Sequence, residues 1–179
     1  AGNAALLGCC DVIIATANSS IGMGGPVMIE GGGLGVFKPE DVGPMNVQTQ
    51  NGVVDIEAAD DDEAVSLAKK YLSYFQGATT SWEEGDQLKL RSLIPESRKR
   101  AYNVRTVIKA IADTDSFLEL RPKFGPSMVT GFLRIEGRPF GVIANNSMHM
   151  AGAIEAEGAD KVARLMQICN AHGLPILSL

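Results

Sequence analysis

Glycine constrains this chain more than any other residue, because it is both abundant and unevenly placed. The 179 residues contain 20 glycines, and positions 22 to 35 hold a dense group of them. A backbone without Cβ atoms can turn tightly or let a ligand approach closely, so this stretch predicts loop and helix-start geometry. Pro26 suits the first position of a short helix within it.

Composition narrows the function classes. Hydrophobic residues make up 45% and charged residues 21% of the chain, which is typical of a folded, water-soluble protein. The net charge of −5 disfavours nucleic-acid binding, since phosphate contacts need clustered lysine and arginine, and the basic run at 98–100 is typical of a solvated helix face. No apolar stretch reaches the roughly 18 residues that a membrane span requires, so we expect no membrane partner.

The cysteines and histidines restrict the chemistry. Cys9, Cys10 and Cys169 are odd in number and lack C-x-x-C spacing, which favours a reduced, intracellular compartment over a disulfide framework or a zinc site. The sequence has two histidines, no G-x-S-x-G motif and no paired His/Glu spacing. Catalysis by side-chain acids and bases or by a metal ion is therefore disfavoured, and we expect no metal.

The two histidines lie in different settings. His172 precedes Gly173 at a predicted helix end, where histidine commonly stabilises the last carbonyls. His149 lies in a loop after an apolar strand, which leaves open a binding role or a plain loop position. The backbone remains as a catalytic device, because glycine-rich turns and helix N-termini aim N–H groups at a developing oxyanion.

Residue periodicity predicts alternating strands and helices in two segments. An aspartate run at 60–62 can cap a helix over about 61–75, and 76–90 then has the composition of a linker or a wrapping loop. Further elements are expected as helices at 98–112 and 158–171, as strands at 11–15, 52–56 and 117–120, as a hairpin of 128–136 with 139–144, and as a final apolar strand after Gly173.

Short motifs follow one another in a fixed order along the whole chain. They begin with Gly2-Asn3-Ala4-Ala5 and continue through Ile21-Gly-Met-Gly-Gly-Pro26 and Glu30-Gly-Gly-Gly-Leu-Gly35. The second half carries the series on through motifs at 98–105, 117–120, 131–138, 141–146, 159–164 and 169–175. With this ordered series the chain resembles the carboxyltransferase (beta) component of biotin-dependent acyl-CoA carboxylases, of the acetyl-/propionyl-CoA carboxylase type.

The resemblance implies an α/β, crotonase-like (ClpP/crotonase) fold, a ββα spiral with parts of two such domains. Residues 1–80 would form the C-terminal half of the N-terminal carboxyltransferase domain, 81–95 a linker, and 96–179 the start of the C-terminal carboxyltransferase domain. The sequence opens without methionine and stops before a Pro-Gly-rich loop that the family carries, so we expect an internal fragment that is inactive alone. The expected location is the cytoplasm, or the mitochondrial matrix in a eukaryote.

The resemblance also implies a reaction and its partners. Such enzymes move a carboxyl group from carboxybiotin to an acyl-CoA, such as acetyl-CoA or propionyl-CoA, while backbone amides hold the enolate oxygen. Biotin is carried on a separate biotin carboxyl carrier protein that works with a biotin carboxylase subunit, and the carboxyltransferase is a homo-oligomer, usually a hexamer. By resemblance, the site comprises Gly2, Asn3 and Ala4 as the catalytic oxyanion loop, and Gly24, Gly25, Pro26, Asn145 and Asn146 as acyl-CoA/biotin-binding residues.

Several alternatives stay open from the sequence. Gly2 to Ala4 could serve only as a tight helix entry, the turn at 24–26 could be purely structural, and the amides of Asn145 and Asn146 could satisfy neighbouring loops. The same fold also serves biotin-dependent acyl-CoA decarboxylases, which run the transfer from acyl-CoA to biotin. A non-catalytic assembly module is a third alternative, and the preferred acyl chain length is open as well.

Overall fold

A computed structural model describes residues 2–97 and 99–179 of the chain. Arg98, the first residue of the basic run, lies outside the described residues. The chain divides into two compact units, Ala1–Ala68 and Lys69–Leu179. Among the described residues, the first unit has a sheet of two strands and the second a sheet of four. The domain boundary expected at 81–95 stays a prediction.

The first unit is built on two short parallel strands, Ile14–Thr16 (β1) and Ile56–Ala58 (β2). The second strand begins later than the run at 52–56 predicts, because Gly52 adopts a left-handed φ of 78° that turns the chain first. The buried core consists of Ile13, Ala15, Met45 and Val54. The helices are α1 (Gly2–Gly8), α2 (Pro26–Gly31), α3 (Met45–Gln48) and the start of α4 (Asp61–Ser73).

Gly43 is the glycine that the first unit needs most clearly. Its φ is +69°, where L side chains are strained, and a Cβ built there would overlap the carbonyl oxygen of Ile21. The amide of Ile21 in turn donates to the carbonyl of Gly43 at 2.8 Å, so the two segments cannot separate without losing that bond.

We expect Gly43→Ala to lower the free energy of unfolding by about 2 kcal/mol. Denaturant titration of the purified chain measures this change. Gly8→Ala is the matched control, because a Cβ at Gly8 would meet open space among the described residues. Equal stability of the two variants would contradict the close approach of Gly43 to Ile21.

The second unit follows the strand, strand, helix, strand order that the sequence predicts. Leu118–Leu120 (β3), Met128–Ile135 (β4) and Arg138–Asn145 (β5) pair antiparallel in that order. The 17-residue helix Ala156–His172 (α7) then returns the chain, and Ile176–Ser178 (β6) pairs parallel to β5. Because β5 and β6 are parallel, α7 is the crossover that such a pair requires.

The hairpin between β4 and β5 turns through Glu136 (φ 51°) and Gly137 (φ 74°). Two left-handed residues in succession are the mark of a type I′ turn, whose twist matches that of the flanking strands. The carboxylate of Asp113 accepts both amides of this turn, at 2.9 and 2.8 Å, and its own amide donates to the Arg134 carbonyl at 2.8 Å. The hairpin predicted from the sequence is confirmed.

Helix boundaries in this unit depend on capping side chains. Helix α6 (Val104–Ile111) starts later than the expected 98–112, because the side chain of Asn103 caps it by accepting the Arg105 amide at 3.1 Å. A four-residue helix, α5 (Leu90–Leu93), precedes it. Helix α4 is capped by Asp60, as the aspartate run predicts, through the Glu63 amide at 2.9 Å.

The polar stretch at 76–90 wraps the second unit. The amide of Thr79 donates to the Gly137 carbonyl at 3.0 Å, and the carbonyl of Glu83 accepts from the Thr114 amide at 2.7 Å. These bonds tie the stretch to the hairpin and to the loop before β3, which agrees with the wrapping loop that the sequence left as one alternative.

Helix α7 closes the core of the second unit. It buries Leu165, Ile168 and Cys169, and burial raises the pKa of the Cys169 thiol to about 11, so this thiol stays protonated at neutral pH. The helix ends on Gly173 in the left-handed conformation (φ 66°). His172 is the last helical residue, as predicted, and its ring lies 4.2 Å from that of Phe75, between centroids.

Candidate functional site

Gly2, Asn3 and Ala4 form the first turn of α1. An α-helix leaves the N–H groups of its first turn without intrahelical partners, so an oxygen bound at this turn could accept hydrogen bonds from these amides. Asn3 is exposed and Ala4 is half-buried. The same position is the helix entry that the sequence left as the alternative, and the two roles are compatible.

Gly24, Gly25 and Pro26 are half-buried residues at the start of α2 in the first unit. Gly25 is the N-cap residue, with extended backbone, and Pro26 is the first helical residue, as the sequence predicts. A Cβ at Gly25 would meet open space in the described part of the chain, and one at Gly24 would touch only Met28, at 4.0 Å. Local packing therefore does not require these glycines, in contrast to Gly43.

Asn145 and Asn146 lie together at the end of β5. The side-chain amide of Asn145 donates to the Gly152 carbonyl at 2.7 Å, and that of Asn146 donates to the Pro126 carbonyl, also at 2.7 Å. The carboxamide oxygen of Asn146 accepts the Met148 amide at 3.3 Å. Asn146 is buried and Asn145 is exposed. Both side chains hold neighbouring loops, and Asn145 is the one that can also face a ligand.

The loop from β5 to α7 brings His149 to Glu155. Their side chains approach to 3.8 Å, between Nε2 and Oε1, and Oε1 of Glu155 is buried without a hydrogen-bond donor among the described residues. Met150 and Ala151 between them adopt left-handed φ values of 45° and 56°. Such strain at non-glycine residues costs about 1 kcal/mol or more each and is concentrated at functional sites. Sequence reasoning singled out His149 but missed Glu155, because their approach depends on this turn.

Lys161 is a buried charged side chain on α7. Only 1% of it is exposed, and Nζ donates to the Met128 carbonyl at 2.8 Å. Burial lowers the pKa of Lys161 to about 8, against a smaller opposing effect of the Glu119 carboxylate. The sequence motif at 159–164 includes this lysine without showing its burial. Its helical spacing to Leu165 and Ile168 is the signal that places it on the buried face.

Glu119 on β3 is itself engaged by Arg105 on α6. The guanidinium of Arg105 donates to both carboxylate oxygens, at 2.8 and 2.6 Å. This bidentate pair raises the pKa of Arg105, mainly through the hydrogen bond to Glu119. Lys161 therefore lies near a carboxylate whose charge another cation already balances.

The lowered pKa of Lys161 predicts a stability that changes with pH. The folded state releases the proton near pH 8, whereas the unfolded chain keeps it up to about pH 10.5, so the unfolded state binds more protons in this window. The free energy of unfolding therefore rises with pH. Relative to Lys161→Met, we expect the wild type to gain about 2 kcal/mol between about pH 7 and pH 10, measured by denaturant titration at each pH. Parallel profiles would contradict the burial of a titrating amine.

Two further observations concern the described residues as a set. Residues 2–97 and 99–179 contain no group of three or more His, Cys, Asp or Glu side chains placed to hold a metal ion. None of the helices in this part of the chain combines the length and apolar character needed to cross a lipid bilayer.

Comparison with known proteins identifies the family of this chain. The family model for the carboxyl transferase domain matches residues 1–179. The acetyl-/propionyl-coenzyme A carboxylase beta6 subunit of Mycobacterium tuberculosis (strain H37Rv) is 34% identical over 177 residues, which are 93% of this chain and 36% of that protein. This chain thus spans about a third of the length of that curated relative.

Solved structures agree with the sequence comparison. A single-chain, multi-domain long-chain acyl-CoA carboxylase shares 55% identity and a TM-score of 0.96 over 98% of this chain and 18% of that one. The transcarboxylase 12S hexamer, with hydrolysed methylmalonyl-CoA bound, shares 27% identity and a TM-score of 0.81 over 94% of this chain and 35% of that one. The crotonase-like α/β fold that the motif series implies is confirmed. The chain therefore belongs to the carboxyl transferase domain family.

Proposed function

We propose that this chain is an internal part of a biotin-dependent acyl-CoA carboxyltransferase, which moves a carboxyl group from carboxybiotin to an acyl-CoA. The observation that carries the proposal is the match of the carboxyl transferase domain model to all of residues 1–179. The 34% identity to a biotin-dependent carboxylase beta subunit supports it. The chain spans only about a third of that relative, so the activity is proposed for the protein of which this chain is a part, called the parent protein below.

The proposed chemistry uses main-chain dipoles rather than ionisable side chains. The amides of Gly2, Asn3 and Ala4 would donate to the thioester oxygen, which gains negative charge as the enolate forms. Gly24, Gly25 and Pro26 would line the acyl-CoA or biotin pocket, where a backbone without Cβ atoms allows a close approach. In the second unit, Asn145 would face the ligand and Asn146 would hold the loop behind it. The roles of Gly2 to Ala4, Gly24 to Pro26 and Asn145 come from the resemblance, and the open space at Gly25 supports the second of them. The role of Asn146 differs from the binding role that the resemblance implies, because its buried side chain donates to the Pro126 carbonyl.

The cofactor and partners follow from the same relationship. Carboxybiotin would reach the site on a biotin carboxyl carrier protein, after loading by a biotin carboxylase. The parent would assemble as a homo-oligomer, and the hexamer of the transcarboxylase 12S relative supports this assembly. The proposed location is the cytoplasm, or the mitochondrial matrix if the source organism is a eukaryote.

The acyl chain is proposed to be long. The long-chain acyl-CoA carboxylase is 55% identical to this chain, whereas the acetyl-/propionyl-CoA enzyme is 34% identical. Because one methylene in a hydrophobic pocket changes selectivity by only about 1–3 kcal/mol, the preference has to be measured over a series of chain lengths.

A carboxyl-exchange assay of the parent protein tests the function. The parent is incubated with free biotin and either malonyl-CoA, methylmalonyl-CoA or a 2-carboxylated long-chain acyl-CoA, and formation of the decarboxylated acyl-CoA is followed. We expect biotin-dependent exchange with the largest kcat/KM for the long-chain thioester. Absence of exchange with every thioester would remove the enzyme function, and a preference for malonyl-CoA would remove only the proposed chain length.

A further inference from the structure

The backbone carbonyls of three consecutive residues, 126–128, accept hydrogen bonds from Asn146 after β5 and from Lys161 on α7. The Pro126 carbonyl accepts a hydrogen bond from the side-chain amide of Asn146 at 2.7 Å. The Ser127 carbonyl accepts one from the backbone amide of Asn146 at 2.8 Å. The Met128 carbonyl accepts Nζ of Lys161 at 2.8 Å. We call this arrangement the carbonyl clamp. It connects α7 to the end of β5 through one short stretch of backbone.

The first turn of α7 packs directly against the same stretch. A Cβ at Gly158 would come within 2.6 Å of Oγ of Ser127, and one at Gly125 within 2.8 Å of the Gly158 nitrogen. Ser127 is fully buried. Because the helix and the strand touch without space for a methyl group, Lys161, almost one turn further along α7, has little freedom to move away from the clamp.

The charged groups around Lys161 explain why its ammonium group donates a hydrogen bond to a backbone carbonyl and not to a carboxylate. Glu119 on β3, Arg105 on α6 and Arg121 just after β3 are the charged groups that face it. Glu119 is bound bidentately by Arg105, and Nζ of Lys161 donates to the Met128 carbonyl at 2.8 Å. A buried ammonium is costly unless it is hydrogen-bonded, and methionine would fill a similar volume without that cost. Packing alone therefore does not account for a lysine here.

We propose that Lys161 is a positioning residue for the carboxyl-transfer site at the end of β5. By holding the Met128 carbonyl, it fixes the stretch to which Asn146 is bound, and thereby the exposed carboxamide of Asn145. It acts through the carbonyl clamp and does not touch the substrate. This inference rests on the proposed function, which gives Asn145 its ligand-facing role.

Kinetics of the parent protein test the proposal. In the exchange assay, Lys161→Met is expected to lower kcat about tenfold and to leave the KM for acyl-CoA within about twofold, while Lys69→Met, at an exposed lysine, leaves both unchanged. Above pH 8 the neutral amine donates a weaker hydrogen bond than the ammonium, so the wild-type kcat is expected to fall towards that of Lys161→Met, whose own profile lacks this limb. An unchanged kcat, or the same limb in both profiles, overturns the proposal.

Hydrogen exchange at the Asn146 amide separates the positioning role from the proposed function. This amide donates to the Ser127 carbonyl, and its protection factor is expected to fall about tenfold in Lys161→Met. If the wild-type parent shows no exchange of carboxyl groups, the proposed function fails, but a loss of protection still supports the clamp. Should the variant not fold, the wild-type protection factor is compared at about pH 7 and pH 9.5. A fall at the higher pH supports the clamp, and a constant or higher value overturns the proposal.

Discussion

Replacing Asn3 by proline is expected to lower kcat of the parent protein by about 100-fold to 1,000-fold, the usual loss when one oxyanion donor is removed. Asn3 lies in the first turn of α1, where its N–H has no intrahelical acceptor. Proline is tolerated in the first turn of a helix, and the preceding Gly2 lacks the Cβ with which the proline ring would clash. The substitution thus removes one amide donor with little effect on the helix.

Asn3→Ala is the matched control, because it removes the side chain and keeps the amide. We expect its kcat to stay within about threefold of the wild type, well short of the loss from a missing oxyanion donor. The melting temperatures of the two variants are compared to exclude unfolding. If both variants keep the kcat of the wild type, the amide has no catalytic role. If both lose kcat to the same extent, the effect belongs to the side chain of Asn3 and again not to the amide.

Replacing Arg134 by methionine is expected to destabilise the second unit by about 3–4 kcal/mol. The guanidinium is buried and donates to the carbonyls of Ser73, Gly77 and Gly137, at 2.7, 3.0 and 2.6 Å. It also lies 5.5 Å from the ring centroid of Tyr74. Methionine keeps much of the volume but removes a charged donor from three carbonyls at once. The Gly137 and Ser73 carbonyls keep the amides of Thr79 and Gln76 as donors, so the expected loss is that of the charge-assisted hydrogen bonds, each worth about 1.5–3 kcal/mol.

Arg138→Met is the control for this prediction. Arg138 begins β5 just beyond the hairpin turn and is exposed, so its replacement should change the free energy of unfolding by less than about 0.5 kcal/mol. Thermal or denaturant unfolding followed by circular dichroism measures both variants. Equal effects would show that the guanidinium bonds to the end of α4 and to the hairpin contribute little.

The order of elements in the second unit could be predicted because it depends on local patterns. The Glu136-Gly137 turn, the apolar strands on either side of it and the periodicity of α7 are all visible in the sequence. The start of α6 was predicted too early, since the cap at Asn103 outweighs the helical spacing that precedes it. Strand β2 also begins later than the run at 52–56 predicts. Gly52, the first residue of that run, adopts a left-handed φ, so the chain turns there before it becomes extended.

The arrangement of the candidate site could be predicted only in part, because it depends on tertiary contacts and not on local sequence patterns. Asn145 and Asn146 are adjacent in sequence, but the first is exposed and the second buried, and they bond to different carbonyls. The periodicity of the sequence does not predict this difference. The clamp at Lys161 joins residues that lie 33 positions apart. The approach of His149 to Glu155 needs two left-handed residues between them, and neither Met150 nor Ala151 is a residue type that signals this conformation.

A crystal structure of the parent protein with an acyl-CoA bound would show directly whether main-chain amides at the start of α1 hold the thioester oxygen. We expect this oxygen at about 2.7–3.1 Å from at least one backbone nitrogen of Gly2, Asn3 or Ala4, the distance range of an oxyanion donor. A thioester oxygen bound instead by an ionisable side chain, or lying away from this turn, would contradict this expectation.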